Sequence, residues 1–254
     1  MTTDLQSAAR TALACLDLTS LNDADTAADI EALCRRAQTP HGNVAAVCVW
    51  PRFVAQARET LPASIKVAAV ANFPDGALDL QRALGDIAEI ALAGGDEVDV
   101  VLPYRTLLAD QSSDVAEFLS EVRFASRPLT LKVIIEAGEL VTTDRIAQAT
   151  RLALASGADF VKTSTGKSRV GATPAAAAAM LKEIKASGLS AAGFKASGGV
   201  RSVADAAGYI AQTRAALGDA ALNPQRLRFG ASGLLTDIES VLAGADSVAT
   251  NSTY

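Results

Sequence analysis

A chain of 254 residues is close to the ~250 typical of one (β/α)8 barrel and long for a single sandwich or a simple doubly wound sheet. Half of the residues are hydrophobic (50%) and a fifth charged (20%), which excludes a disordered or fibrous chain. The formal charge of -5 gives no general field for phosphodiester backbones, so no nucleic-acid partner is expected, although a small anion can still be bound locally.

In chain order, short apolar and β-branched runs recur at residues 13–18, 44–49, 65–71, 97–102, 131–136, 159–163, 192–196 and 226–231. Each is read as a strand. Between them, apolar residues fall three and four apart, as in Ile30, Leu33 and Ala37, or Leu84, Ile87, Ala88 and Ala91, the pattern of a helix with one buried face. Helix starts are expected at Asn22, ahead of an acidic stretch, at Thr143 and Asp144 ahead of Ile146, and at Thr173 followed by Pro174. Gly94, Gly95, Gly157 and Gly188 stand where helices should stop, and the alanine run 175–179 reads as helix.

Strand-then-helix alternation implies parallel strands joined by right-handed crossovers, and eight such units can close the sheet on itself. The expected fold is a single (β/α)8 TIM barrel over residues 1–254, with no linker dividing it. An open doubly wound sheet satisfies the same alternation. Both architectures place ligands at the carboxyl ends of the strands, so the search for a site goes there under either. No apolar run reaches the roughly 18 residues of a membrane span, and residues 1–10 lack the apolar segment of a signal peptide; a cytoplasmic protein without a membrane partner is expected.

Three cysteines, Cys15, Cys34 and Cys48, have neither an even count nor CxxC spacing, so reduced, packed thiols are expected rather than a disulfide frame or zinc site. Cys48, near the end of the second strand, is the one that an aldehyde in the pocket could reach. The single histidine, His41, lies in a turn-like segment with Pro40 and Gly42. A serine–histidine triad and a multi-histidine metal site are thereby both disfavoured.

Residues 159–167 are the most informative. Side chains alternate across a strand, so Phe160 and Lys162 share one face, which points Lys162 into the barrel near its mouth. The next strand repeats the arrangement with Gly193 and Lys195. A second positive charge beside a desolvated lysine disfavours its protonation, and catalytic lysines are lowered in this way to roughly 7–8, so that neutral amine is present to attack a carbonyl. Carboxylates supply the complement: Asp99 shares a face with Glu97 inside the fourth strand, and Asp17 sits similarly in the first. On the fifth strand Lys132, Ile134 and Glu136 share a face. Buried charges without partners are costly, so these groups should form one neutralising network, whether structural or chemical.

Glycine turns follow the last three strands: Thr165, Gly166 and Lys167; Gly198, Gly199, Val200 and Arg201; and Gly230, Ala231, Ser232 and Gly233. Glycines let backbone N–H groups approach an anion, and barrels frequently bind phosphate at the loops after strands seven and eight.

Across nearly its whole length the chain resembles the deoxyribose-phosphate aldolase family. The resemblance rests on residues 16–21 (LDLTSL), 96–101 (DEVDVV), 131–138 (LKVIIEAG), 160–167 (FVKTSTGK) and 193–201 (GFKASGGVR), in the family's order. It implies reversible cleavage of 2-deoxy-D-ribose 5-phosphate to acetaldehyde and D-glyceraldehyde 3-phosphate, with no metal or organic cofactor, by a monomer or homodimer. It further implies that Lys162 is the Schiff-base lysine, Lys195 its perturbing neighbour and Asp99 the carboxylate of a proton relay, with Asp17 and Lys132 at further polar positions of the site. Gly166, Lys167, Gly198, Gly199, Val200, Arg201, Gly230 and Ser232 match the phosphate site. Some members end in a tyrosine that reaches the site, which makes Tyr254, at the end of a tail over about 244–254, a further candidate. Two readings compete with this one: another sugar-phosphate barrel enzyme, such as an isomerase or a different lysine aldolase, and a non-catalytic sugar-phosphate sensor.

Overall fold

A computed structural model of the chain describes residues 2–244. Among these, eight parallel strands close into a barrel: β1 (Leu16–Thr19), β2 (Ala46–Val49), β3 (Lys66–Ala71), β4 (Glu97–Val101), β5 (Thr130–Ile134), β6 (Phe160–Lys162), β7 (Gly193–Ser197) and β8 (Leu227–Ala231). Each strand pairs with its sequence neighbours, and β8 returns to β1 through the register Asp17 with Gly230. The closed (β/α)8 barrel replaces the open-sheet alternative. Almost every strand residue is buried, because one face meets the helices and the other the barrel interior. No helix among the described residues is long and apolar enough to cross a membrane.

The helices around the barrel are α1 (Thr2–Ala14), α2 (Ala27–Arg36), α3 (Val54–Thr60), α4 (Leu80–Leu92), α5 (Tyr104–Leu108), α6 (Ser112–Ala125), α7 (Ala137–Leu140), α8 (Thr143–Ala155), α9 (Pro174–Ala186), α10 (Val203–Leu217) and α11 (Leu234–Leu242). Two expectations shift here. The first strand begins at Leu16 rather than 13, because Leu13 and Ala14, both good helix formers, finish α1, and Ala9, Ala12 and Leu13 are buried on its inner face. Helix α2 is capped by Thr26 and not by Asn22: Thr26 and Asp29 form a reciprocal capping box, while Asn22 joins a turn through Asp25. Thr173 caps α9 with Pro174 in its first turn, and Gly94, Gly157 and Gly188 all take positive φ just past helix ends, as the sequence predicts.

The closed end of the barrel is filled by Phe160. A Cβ on Gly193, its register partner on β7, would lie 2.4 Å from that ring, so glycine is what admits an aromatic floor. A Gly193→Ala protein is therefore expected to lose about 1–3 kcal/mol by overpacking, read as a lowered urea midpoint. An unchanged midpoint would show that the floor can yield.

Candidate active site

Six strands aim charged side chains inward. Lys162 is the last residue of β6 and pairs in register with Lys195 on β7; Asp99 on β4 pairs with Lys132 on β5. Asp17 comes from β1 and Arg228 from β8. The sequence-predicted pair of lysines is thus brought together, with a carboxylate between them. Lys162 Nζ and Lys195 Nζ each donate to Asp99 Oδ2 at 2.8 Å, while Lys132 Nζ takes Asp99 Oδ1 at 2.8 Å. Lys195 also holds Asp17, and Lys132 reaches Glu97 Oε2 at 2.5 Å. Asp17, Asp99, Lys132 and Lys195 are fully buried, and Lys162 is 2% exposed.

Burial alone would push the carboxyls of Asp17 and Asp99 upward. The lysines outweigh it, with Arg228 helping at Asp17, and both carboxyls are held well below the ordinary carboxylate range. For Lys195, burial disfavours the charge, but Asp17 and Asp99 prevail and raise its pKa; Lys132 is raised likewise by Asp99, Glu97 and Asp17. Lys195 is therefore a fixed cation next to Lys162.

The closed-end half of the network was not singled out from sequence. Arg228 Nη1 donates to Asp17 Oδ1 at 2.6 Å, and its Nη2 to Glu97 Oε1 at 2.7 Å. The guanidinium carbon stands 5.6 Å from the centre of the Phe160 ring. A signal existed, since Glu97 alternates with Asp99 and Arg228 with Gly230.

Glu136 departs from expectation. Strand β5 stops at Ile134, and Glu136 takes a left-handed backbone (φ 50°) ahead of α7, which turns its carboxylate onto the β6 loop and away from Asp99. It accepts from Thr165 Oγ1 at 2.5 Å and from Ser168 Oγ at 3.0 Å, holding the segment that follows Lys162. Burial pushes its carboxyl up against those hydrogen bonds.

At the C-terminal mouth a narrow cleft is lined by Lys162, Thr165, Gly166, Lys167, Ser197, Gly198 and Gly230, with Thr19 and Leu21 opposite. Lys162 is the member of the ion-pair network that lines this cleft; the others lie beneath it. The two glycine loops interlock, since a Cβ on Gly198 would stand 3.0 Å from Gly171 Cα and 3.3 Å from Gly166 Cα. A Cβ on Gly230 would stand 2.8 Å from Ser197 Cβ and 3.1 Å from Lys195 Cε, so its absence makes room for Ser197 and the lysine stem. Lys167 Nζ bonds the Leu21 carbonyl at 2.7 Å. Gly199, Val200, Arg201 and Ser232 follow the carboxyl ends of β7 and β8, at the same end of the barrel, without lining this narrow cleft: Val200 is buried, Arg201 is exposed with its backbone N–H donated to Asp205, and Ser232 lies in the turn before α11. Cys48 is fully buried, and burial raises its thiol pKa, so it packs and does not line the cleft. Tyr254 lies outside the described residues.

A (β/α)8 barrel carrying a lysine at its carboxyl-end mouth, a second lysine beside it and a shared carboxylate between them belongs to the class of barrels equipped for carbonyl chemistry through an amine. The comparisons place it within that class. The DeoC/LacD family of aldolases matches residues 11–236, and the chain belongs to that family. A curated deoxyribose-phosphate aldolase of Agrobacterium fabrum (strain C58) is 44% identical over 260 residues, covering 100% of both chains. A crystal structure assigned as a deoxyribose-phosphate aldolase from Toxoplasma gondii superposes with a TM-score of 0.87 at 26% identity, covering 97% of this chain and 98% of that one. Another so assigned, from Coccidioides immitis, gives 0.78 at 28% identity, covering 91% and 87%.

Proposed function

We propose that the chain is a deoxyribose-phosphate aldolase in which Lys162 is the covalent nucleophile, cleaving 2-deoxy-D-ribose 5-phosphate reversibly to acetaldehyde and D-glyceraldehyde 3-phosphate. The observation that supports the residue assignment is that Lys162, alone in a seven-membered charge network, opens onto the mouth cleft while sharing one oxygen of Asp99 with Lys195.

In the cleavage direction the free amine of Lys162 adds to the open-chain aldehyde carbon, and loss of water gives an iminium. A water ordered by Asp99 and Lys195 takes the C3 hydroxyl proton; the C2–C3 bond breaks, its electrons form the enamine, and glyceraldehyde 3-phosphate leaves. Protonation at C2 and hydrolysis release acetaldehyde and restore the amine. Asp17 and Lys132 hold Asp99 and Lys195 in place. The backbone at Gly166, Gly198, Gly199, Val200, Gly230 and Ser232, with Lys167 and Arg201, is the proposed phosphate cradle, orienting the sugar through remote binding energy. The tail, with Tyr254, is the proposed proton donor to the enamine. A chain lacking only Tyr254 should slow this protonation while keeping imine formation; equal turnover would make the tail dispensable.

Reduction with borohydride in the presence of deoxyribose 5-phosphate or acetaldehyde, followed by peptide mass spectrometry, tests the reading. An adduct on Lys162 is expected, and a folded, substrate-binding protein without one would overturn it. The small-molecule chemistry needs no nucleic acid or membrane, and a cytoplasmic monomer or homodimer is the proposed working form. A fold relative from Aeropyrum pernix is tetrameric (TM-score 0.72, 24% identity), so sedimentation is the direct check.

A further inference from the structure

The ion-paired network at the barrel's centre does not balance. Its cations are Lys132, Lys162, Lys195 and Arg228; its carboxylates are Asp17, Glu97 and Asp99. Three carboxylates face four cations in a region almost without solvent contact, and an uncompensated buried charge is expensive. The guanidinium cannot relieve the surplus, because arginine does not deprotonate in proteins. One of the lysines must be the group that gives way.

The contacts decide which. Arg228 is bound to both Asp17 and Glu97, Lys132 to Glu97 and Asp99, and Lys195 to Asp17 and Asp99. Lys162 has one ion-pair partner, Asp99, and uses the oxygen already taken by Lys195. It is the most weakly ion-paired of the four cations.

The surroundings of Lys162 do not alter the count. Asp99 faces it from β4, Lys132 from β5, Lys195 from β7, and Asp17 and Arg228 from β1 and β8 below. Cys48 on β2 is a neutral thiol. Glu136, beyond β5, adds one negative charge near the mouth, and Lys167, on the loop after β6, adds one positive. The surplus stays at one.

We propose that Arg228 is a positioning residue for the Schiff-base step: held at the closed end of the barrel by Asp17 and Glu97, its permanent charge supplies the surplus that keeps the Lys162 amine free to attack. The inference rests on Lys162 being the nucleophile. Arg228 does not touch the cleft and acts through Asp17, Lys195 and Asp99, four ion-pair contacts from the reacting amine.

The test is the acidic limb of kcat/KM against pH, together with the initial rate of cyanoborohydride trapping with acetaldehyde across the same range. Arg228→Gln leaves three cations against three carboxylates, so the limb should move to higher pH by about one unit, the order expected for removing one charge of a buried network at an effective dielectric near 20. Glu97→Gln enlarges the surplus and should move the limb the other way. Arg228→Lys keeps the charge and should retain the wild-type limb. A purely structural role would lower activity in both Gln variants without opposite displacements. If Arg228→Gln does not fold, Glu97→Gln and Arg228→Lys carry the test, and a limb that Glu97→Gln leaves in place or moves upward overturns the proposal. Absence of a wild-type Lys162 adduct at any pH would instead defeat the assignment of the nucleophile.

Discussion

Lys162→Ala should lower aldol cleavage by at least about 10^5-fold, the scale on which loss of a covalent nucleophile acts, while leaving a folded barrel. Its fold should survive for a reason specific to this network. Lys162 has a single ion-pair partner, and removing it leaves Lys132, Lys195 and Arg228 against Asp17, Glu97 and Asp99, a balanced set. Asp99 keeps Lys132 and Lys195 after the change, so no carboxylate is stranded. The expected profile is thus unusual for a buried ion-paired residue: catalysis gone, urea midpoint unchanged or raised. Lys195→Ala should differ, since it deprives both Asp17 and Asp99 of a buried partner and should cost roughly 3–5 kcal/mol of stability as well as rate. A coupled assay for glyceraldehyde 3-phosphate alongside denaturant unfolding separates the two. A well-folded Lys162→Ala protein that still cleaves deoxyribose 5-phosphate at an appreciable rate would end the Schiff-base account.

The contrast between Lys162 and Arg228 marks how far local sequence reaches. Strand alternation alone put Lys162, Lys195, Asp99, Asp17 and Lys132 on inner faces, because a two-residue period survives any tertiary context that leaves the strand straight. Arg228 obeys the same period, yet Arg226 stands two residues before it, and a run with arginines at that spacing reads equally well as a solvated edge. Only closure of β8 onto β1 turns that face inward, and closure is a property of the whole chain. Glu136 fails for the opposite reason: the period is extrapolated two residues past Ile134, where a left-handed backbone ends it. The first helix, α1, precedes the first strand signal and shares its apolar residues with it, so the boundary at Leu16 depends on packing against α10 and α11. Which carboxylate holds which lysine is likewise a matter of register among strands far apart in sequence, as in the pairing of Asp17 with Lys195.

Asp99→Leu should be the most destabilising single change in the site, because Asp99 is the common partner of three lysines. Its loss leaves four buried cations with Asp17 and Glu97, and breaking a buried pair by deleting one member costs about 3–5 kcal/mol. The dependence on pH should change as well. In the wild type, the lowered carboxyls of Asp17 and Asp99 contribute stability that is present above their unfolded value of about 3.9 and lost as pH falls below it. The raised lysines 132 and 195 contribute stability that is complete below about 10.4 and lost as pH climbs past it. In Asp99→Leu the surplus cations are disfavoured in the folded barrel, so the unfolded chain binds more protons, and stability should rise between pH 7 and about 10 more steeply than in the wild type. Asp99→Asn, which keeps the shape and one acceptor, should fold more readily but lose roughly 10²–10⁴ in rate if the carboxylate organises proton transfer. Urea midpoints of the Leu variant at three pH values in that window decide the electrostatic part. A midpoint that stays level would mean that the lysines find water or a new partner when Asp99 is gone, and that the network is held by packing more than by charge.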